Sequence, residues 1–305
     1  MTNYDTFLLT IQEEVRQFTD SVATEQGDWI VKGFIDVYQR VYAMPDDTKV
    51  TSKVLELFLI PRLIDFGKRN GYEVELAPQQ NFYPDATFIS TTTGERYAVD
   101  VKSTYRINDT TVNGMTLGAF TGYFRNRQST KNIVYPYGSY KAHLVLGVIY
   151  SNVRFEYAAV DNDEIVPDER RTYSLEEFDN VRSVIRNFVF FIQPKYRIAS
   201  ARPGSGNTRN IGSVIGIEQL VNGTGPFYTL GEDVYDDYWM NYLNKDMARA
   251  IDTQVPYINL KTYAEYKNNT ISIDIEEAIH LERAFKNYSI KVCEILSLRN
   301  FDRYG

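Results

Sequence analysis

The part of the chain that decides the fold reads Tyr83-Pro84-Asp85 and, fifteen positions after Asp85, Asp100-Val101-Lys102. Residues 86–91 and 96–102 have strand patterns, and Thr93-Gly94 between them predicts a turn that folds the two strands into a hairpin. Asp100 and Lys102 lie two apart on one strand, so their side chains leave the same face. Because Asp85 begins the neighbouring strand, the pattern predicts two carboxylates and an ammonium close to one point.

This group of charges suits phosphodiester hydrolysis. Carboxylate oxygens bind Mg²⁺, which can share oxygens with a scissile phosphate, and a nearby lysine can orient the attacking water and stabilise charge on the phosphate. The alternative is a simple turn at Asp85 and solvent-facing strand residues at Asp100 and Lys102. Apolar neighbours of Asp100 favour the first interpretation, because an unpaired carboxylate inside a sheet is costly. Glu56, between two leucines of a predicted helix, is either a further acidic candidate or an ordinary boundary residue.

Outward from this hairpin, the spacing of apolar residues predicts an α/β protein. Helices are predicted over 7–18, 49–70, 116–132 and 274–298 and after Asp233, and further strands over 72–76, 144–150 and 187–192. The run 144–150 is apolar throughout, which is typical of a central strand buried on both faces. Gly71 lies where a helix-ending glycine is expected. Residues 203–208 are small and polar and predict a flexible loop.

Composition limits the class of protein. The chain has 305 residues, one cysteine (Cys293) and no apolar run long enough for a membrane helix, which favours a soluble, cytoplasmic protein without disulfides. The net charge of −7 argues against a nucleic-acid partner. The charges are segregated, however: 102–141 contains six basic residues and one acidic one, and 182–217 contains six basic and no acidic residues. These segments are either ordinary solvated faces or phosphate-binding surfaces.

Other chemistries have less support. The two histidines, His143 and His280, are too few and too far apart in sequence for a histidine-rich metal site, and His143, ahead of the apolar strand, is interpreted as structural. The chain has no phosphate-binding loop of the GxxxxGK[ST] type and no GxSxG nucleophile elbow, and Gly204-Ser205-Gly206 does not follow the dinucleotide-binding pattern.

The sequence resembles the EcoRV family of type II restriction endonucleases, within the PD-(D/E)xK nuclease superfamily, from about residue 45 to 243. The similar segments, in chain order, are Asp47-Thr48-Lys49-Val50, Glu56-Leu57-Phe58, Gln79-Gln80-Asn81, Tyr83-Pro84-Asp85, Asp100-Val101-Lys102, Thr104-Tyr105, Thr116-Leu117-Gly118, Phe124-Arg125-Asn126 (less closely), Thr130 to Pro136, Ala142-His143, Gly204 to Thr208, Asn210 to Ser213, Asp237-Tyr238-Trp239 and Asn241-Tyr242. The resemblance implies an α/β (α+β) fold, with a mixed central β-sheet flanked by helices.

The resemblance also implies roles for individual residues. Asp85 and Asp100 would bind Mg²⁺, Lys102 would be the catalytic lysine, and Glu56 would be an auxiliary acid at the metal. Contacts with the DNA minor groove and backbone would come from Gln79, Gln80, Asn81, Thr104 and Lys131. The bases would be read by Gly204, Ser205, Gly206, Asn207, Thr208 and Arg209. Glycines let the backbone approach base edges, and asparagine is shaped for a bidentate pair with adenine.

At the level of the whole protein, the resemblance implies a homodimer acting on double-stranded DNA, with blunt cutting at the centre of the palindrome GATATC. A cognate DNA methyltransferase is implied in the host. Three segments are predicted: an N-terminal helical and dimerisation segment (1–44), a catalytic and DNA-recognition nuclease domain (45–243) and a helical C-terminal extension (244–305).

Three departures from the family pattern stand out. Arg209 replaces a small hydroxyl residue, so it either contacts a phosphate or reads a flanking base; the first is favoured because most protein–DNA contacts go to the backbone. Gly122 stands where a serine is expected, and two additional residues lie near 127–129.

Two alternative functions remain open. One is a repair or junction-cutting nuclease with the same core, which would not need the loop 204–208. The other is a sequence-specific DNA-binding protein that has lost catalysis, against which the intact Asp85, Asp100 and Lys102 speak.

Overall fold

The computed structural model describes residues 2–153, 172–204 and 209–267. Two compact units divide the chain. The first unit comprises Met1–Asn113 and Ser139–Ile192, and the second comprises Gly114–Gly138 and Gln193–Gly305. The chain therefore passes from one unit to the other three times. The predicted helix at 274–298 lies outside the described residues, and the predicted segment boundaries near 45 and 243 stay predictions.

The helices and strands are numbered in chain order. The strands are β1 Gly33–Ile35, β2 Val41–Ala43, β3 Tyr72–Leu76, β4 Ala86–Ser90, β5 Arg96–Tyr105, β6 Thr116–Ala119, β7 Ala142–Asn152, β8 Thr172–Tyr173, β9 Ile185–Pro194, β10 Ala199–Pro203 and β11 Asn210–Ser213. The α-helices are α1 Asn3–Arg16, α2 Thr19–Val22, α3 Thr48–Asn70, α4 Lys195–Ile198, α5 Ile217–Asn222, α6 Phe227–Leu230, α7 Glu232–Asn241, α8 Lys245–Ala250 and α9 Leu260–Tyr266. No helix among these described residues is both long and apolar enough to cross a membrane.

The central sheet of the first unit has five strands in the order β3-β4-β5-β7-β9. β3 pairs with β4 and β4 with β5 in antiparallel fashion, whereas β5 and β7 run parallel. The sheet is therefore mixed, and helices flank it, as the sequence predicts. A second, small sheet has the order β1-β2-β8. The strands predicted over 72–76, 86–91, 96–102, 144–150 and 187–192 are all confirmed, four of them with shifted or extended ends.

Helix α3 has the ends that the sequence predicts. The Asp47 carboxylate accepts hydrogen bonds from the amides of Lys49 and Val50, and so satisfies two of the free amides of the first turn. Gly71 ends the helix in the left-handed region at φ 78°. Helix α1 begins at Asn3, earlier than predicted, because Thr2 and Asp5 form a capping box ahead of the apolar stripe.

The two faces of the central sheet have different neighbours. Val99 of β5 and Leu144 of β7 are register partners and belong to the main core, together with buried residues of α1 and α3 such as Ile11 and Leu59. Because side chains alternate along a strand, Asp100 and Lys102 leave the opposite face from Val99. The apolar face anchors the sheet on the helices and leaves the other face for polar chemistry.

In the second unit, β6, β10 and β11 form a three-stranded antiparallel sheet with β11 in the middle. The helix predicted over 116–132 is therefore wrong. Residues 116–119 form β6, and a short 3-10 turn follows at Gly122–Phe124. Gly118 and Gly122 have φ values of 98° and 58°, which a right-handed helix cannot contain. Pairing with β11, about ninety residues later, sets the conformation of this segment.

Candidate active site

Asp100 and Lys102 meet on the polar face of β5. The Lys102 Nζ lies 2.6 Å from Asp100 Oδ2 and donates a second hydrogen bond of 3.2 Å to the Val101 carbonyl. The Asp100 side chain is 8% exposed and that of Lys102 is 26% exposed. The carboxylate is thus buried but paired, which is the condition under which a sheet tolerates it.

Asp85 joins this pair from the residue before β4. Its Oδ2 accepts a hydrogen bond of 2.7 Å from the amide of Val101, the residue between Asp100 and Lys102. This bond holds the Asp85 carboxylate against β5. The hairpin predicted from Thr93-Gly94 is present, with Ala86 of β4 opposite Val99 of β5. The structure therefore brings together the three residues that the sequence singles out.

The two aspartates repel each other. Burial, followed by the negative charge of Asp100, raises the pKa of Asp85 to about 7, and the charge of Glu56 acts in the same direction. Burial alone would lower the pKa of Lys102, but the carboxylates of Asp100 and Asp85 outweigh it and raise this pKa, which keeps the lysine protonated. The cluster is short of positive charge, as expected of carboxylates that hold a cation.

A divalent cation fits this donor set. Mg²⁺ keeps several waters and commonly needs only one or two carboxylates together with substrate phosphate oxygens. Asp85 and Asp100 supply the two carboxylates. Within residues 2–153, 172–204 and 209–267, no three His, Cys, Asp or Glu side chains converge closely enough to form a complete metal cage. Glu56 therefore does not complete a three-carboxylate cluster, and its role at the metal stays a prediction.

Glu56 lies instead in a cleft next to Asp85. The cleft has a volume of about 280 Å³ and belongs to the first unit. It is lined by Lys53, Glu56, Ile60, Leu76, Ala77, Pro78, Gln79, Gln80 and Asp85. Glu56 accepts a salt bridge of 2.7 Å from Lys53, three residues earlier on α3. Asp85 and Glu56 thus share this cleft with the loop that carries Gln79 and Gln80.

Comparison with known proteins decides the family. Residues 25–268 match the family described as restriction endonuclease EcoRV. The chain is also 35% identical over 227 residues to the type II restriction enzyme EcoRV of Escherichia coli, and this match covers 74% of the chain and 87% of that protein. The chain belongs to the EcoRV restriction endonuclease family. It is a site-specific nuclease that hydrolyses double-stranded DNA, and nucleases of the EcoRV family are generally metal-dependent.

The remaining residues that the EcoRV family resemblance assigns to DNA contacts fall into different settings. Gln79, Gln80 and Asn81 are exposed on the turn between β3 and Asp85, where they are accessible to a ligand. Lys131 is exposed in the second unit. Thr104 is buried, and its hydroxyl donates a hydrogen bond to the Asn113 carbonyl. Its contact with a DNA phosphate stays a prediction, as do the DNA contacts of the other four.

The recognition segment of the EcoRV family corresponds here to the residues between β10 and β11. The Gly204 amide donates a hydrogen bond of 2.9 Å to the Asn210 carbonyl and joins the ends of the two strands. A Cβ on Gly204 would lie 2.7 Å from Thr116 Cγ2, so a side chain there would require Thr116 of β6 to shift. Arg209 is exposed. Ser205, Gly206, Asn207 and Thr208 lie outside the described residues, and their role in base reading stays a prediction.

His143 has a structural position, as the sequence interpretation holds. It is buried, and its Nδ1 lies 2.9 Å from the Tyr83 hydroxyl. This contact joins β7 to the residue two positions before Asp85. His143 therefore supports the segment that carries the first aspartate.

Two of the ion pairs that the sequence analysis did not predict lie at the cleft or at the insertion. The first is the ion pair between Lys53 and Glu56 in the cleft. The i, i+3 spacing of the two residues on a helix is the sequence signal that could have predicted this pair. The other is Arg127, whose Nη2 lies 2.8 Å from Asp236 of α7 and whose guanidinium lies over the rings of Phe124 and Tyr137. Arg127 lies at the additional residues that distinguish this chain from the EcoRV family pattern, so the insertion has a partner within the second unit.

Proposed function

We propose that the chain is a Mg²⁺-dependent type II restriction endonuclease that cuts both strands of DNA at the centre of GATATC and leaves blunt ends. The observation that carries the proposal is the grouping of Asp85 and Asp100 with Lys102, whose Nζ lies 2.6 Å from Asp100 Oδ2. The likeness of Gly204 to Thr208 and of Asn210 to Ser213 to the recognition segment of the family supports the specificity.

Each residue of the cluster has a separate task in this proposal. Asp85 and Asp100 hold the metal, which, when bound, offsets charge on the scissile phosphate and makes water a better nucleophile. The Val101 amide orients Asp85 through the hydrogen bond to its Oδ2. Lys102 stays protonated because of the neighbouring carboxylates and places a positive charge where the phosphate becomes more negative.

The experiment is digestion of a fully sequenced plasmid with Mg²⁺ or with EDTA, followed by sequencing of the fragment ends. We expect discrete, metal-dependent fragments with blunt GAT and ATC ends. Discrete ends at another sequence would support a restriction endonuclease but reject GATATC as its site. Arg209 would then be the first residue to test for the changed specificity. Cuts without sequence preference would favour a repair or junction nuclease, and sequence-specific binding without cutting would favour a DNA-binding protein that has lost catalysis.

We also propose that the protein acts in the cytoplasm as a homodimer and that the host carries a DNA methyltransferase which protects the same site. A two-fold dimer reads a palindrome because each subunit contacts one half-site. The small sheet of the first unit supports this proposal. Its hairpin exposes apolar side chains, among them Phe34, Ile35, Val37 and Tyr38, of which Val37 is 90% exposed. This hairpin falls within the predicted dimerisation segment.

Val37→Asp tests the dimer. In a two-fold interface each introduced carboxylate appears twice, so we expect the dimer to dissociate at concentrations where the wild type stays associated. Folding should change by no more than about 0.5 kcal/mol, because the side chain is exposed within the chain. Sedimentation equilibrium gives the association state, and Ile107→Asp, at a residue 50% exposed outside the hairpin, is the control. Equal association of Val37→Asp and wild type would place the interface elsewhere.

A further inference from the structure

Lys53 is a charged residue of the first unit to which neither the sequence analysis nor the family resemblance assigns a role. It lies on α3 and forms a salt bridge of 2.7 Å with Glu56. The Lys53 side chain is 49% exposed, whereas that of Glu56 is 28% exposed. Ion pairs spaced i, i+3 on an open helix face stabilise a helix by only a few tenths of a kcal/mol. Helix stability is therefore a weak reason for this pair.

The position of the pair in the cleft indicates a different role. Glu56 and Asp85 bring two carboxylates to the cleft, and the negative charge of Asp100 also acts on Asp85. Of the described residues that line the cleft, Lys53 alone carries a positive charge. Lys102 is held by Asp100 and by the Val101 carbonyl on the face of β5. A DNA strand that enters beside residues 79–81 brings phosphates toward this cleft, where Lys53 is the one basic side chain among the described lining residues.

We propose that Lys53 binds a phosphate of the DNA backbone in this cleft, and that it exchanges Glu56 for the phosphate when DNA enters. The inference rests on the proposed function, because it takes duplex DNA as the ligand. The exchange has a physical basis. Contact with DNA releases condensed counterions, whereas the ion pair with Glu56 on an exposed helix face contributes only a few tenths of a kcal/mol. Glu56, once released, keeps its negative charge near Asp85, where it favours a bound cation.

The test is equilibrium binding of a labelled DNA duplex in EDTA, with fluorescence anisotropy measured over a series of salt concentrations. EDTA removes any effect of the variants on metal loading. For Lys53→Gln we expect a salt dependence of log Kd that is less steep by about 0.9 for each protomer bound. When the salt concentration rises from roughly 50 to 200 mM, the affinity of Lys53→Gln for DNA should therefore fall by a factor about 3.5-fold smaller, per protomer, than the affinity of the wild type. The change should be equal for duplexes with and without GATATC, because phosphates carry no sequence.

Glu56→Gln supplies the second half of the test. If Lys53 is held by Glu56 in free protein, Glu56→Gln tightens metal-free binding in the wild-type background and does so much less in the Lys53→Gln background. Equal tightening in both backgrounds would mean that Glu56 merely repels DNA, and would overturn the exchange. An unchanged salt slope in Lys53→Gln would overturn the phosphate contact.

Lys68→Gln is the matched control, since it removes the same charge from α3 about 22 Å further along the helix. We expect Lys68→Gln to have the same salt dependence of log Kd as the wild type. If Lys68→Gln changed this slope as much as Lys53→Gln does, the effect would come from net charge alone, and the proposal would be overturned. Failure of the proposed function is separately visible. If the wild type cuts DNA with Mg²⁺ and Lys53→Gln binds DNA with the wild-type salt dependence, only the role of Lys53 is rejected. Wild-type protein that neither binds nor cuts DNA rejects both.

Discussion

Replacement of Asp100 by alanine is expected to reduce DNA cleavage by at least ~10³-fold while the protein still folds. The change removes one of the two carboxylates of the proposed metal site, and Asp85 alone would leave the cation without its second protein ligand. A metal ion contributes several kcal/mol of charge stabilisation in phosphoryl transfer, and each 1.4 kcal/mol of that loss is about tenfold in rate. Cleavage of a plasmid in Mg²⁺, followed over time, measures the effect.

Folding should survive this change because two contributions oppose each other. Asp100→Ala takes a salt-bridge partner from Lys102, but it also removes the like charge that raises the pKa of Asp85. Lys102 retains the carboxylate of Asp85 as a neighbour. We therefore expect a change in the free energy of unfolding below about 2 kcal/mol. Asp65→Ala, at an exposed position of α3, is the matched control. Mg²⁺-dependent cutting by Asp100→Ala at the wild-type rate would reject the assignment of the metal site.

The largest effect on folding is expected from Gly147→Ala. Gly147 lies on β7 opposite Lys102 of β5, and an added Cβ would lie 2.0 Å from Cζ of Phe191 and 2.3 Å from its Cε1. Phe191 is buried, with only 4% of its surface exposed. Overpacking of this kind typically costs about 1–3 kcal/mol and here three ring atoms clash, so we expect a loss near the upper end. Denaturant unfolding gives the value directly.

A compensating change separates this clash from other causes. Phe191→Leu shortens the side chain above Gly147, so the double variant Gly147→Ala/Phe191→Leu should be more stable than the sum of the two single changes predicts. Gly114→Ala is the control, because its added Cβ would meet only Ile215 Cγ2 at an ordinary 3.5 Å. Additive losses in the double variant would show that the ring is not the obstacle.

Local patterns predicted most of the first unit. The apolar run of β7, the alternation in β3 and the caps of α3 are signals contained in short stretches, and each element formed where its signal lies. The grouping of Asp85, Asp100 and Lys102 was predictable for the same reason, since it needs only a hairpin and the two-residue period of a strand.

Elements that depend on distant partners escaped prediction. Thr116 to Ala119 forms a strand because it pairs with Gly212 and Asn210. The residues within this segment do not predict that pairing. The sequence predicts a helix over 116–132, a stretch rich in polar and basic residues, whereas Gly118 within β6 and Gly122 in the following 3-10 turn both have positive φ angles. Arg127 with Asp236 likewise joins residues more than a hundred positions apart. No periodicity within either segment predicts a contact of that range.

The order of the strands also has a consequence for synthesis of the protein. β5 pairs with β4 along one edge and with β7 along the other. The first residues paired between β5 and β7, Tyr97 and Ala142, are separated by 45 positions that include a segment of the other unit. At about 5–20 residues per second, a ribosome needs roughly 2 to 9 s to make that stretch. During this interval the nascent chain presents the open edge of the strand that bears Asp100 and Lys102. A chaperone that binds unpaired strands has its clearest opportunity at this stage, before any active site exists.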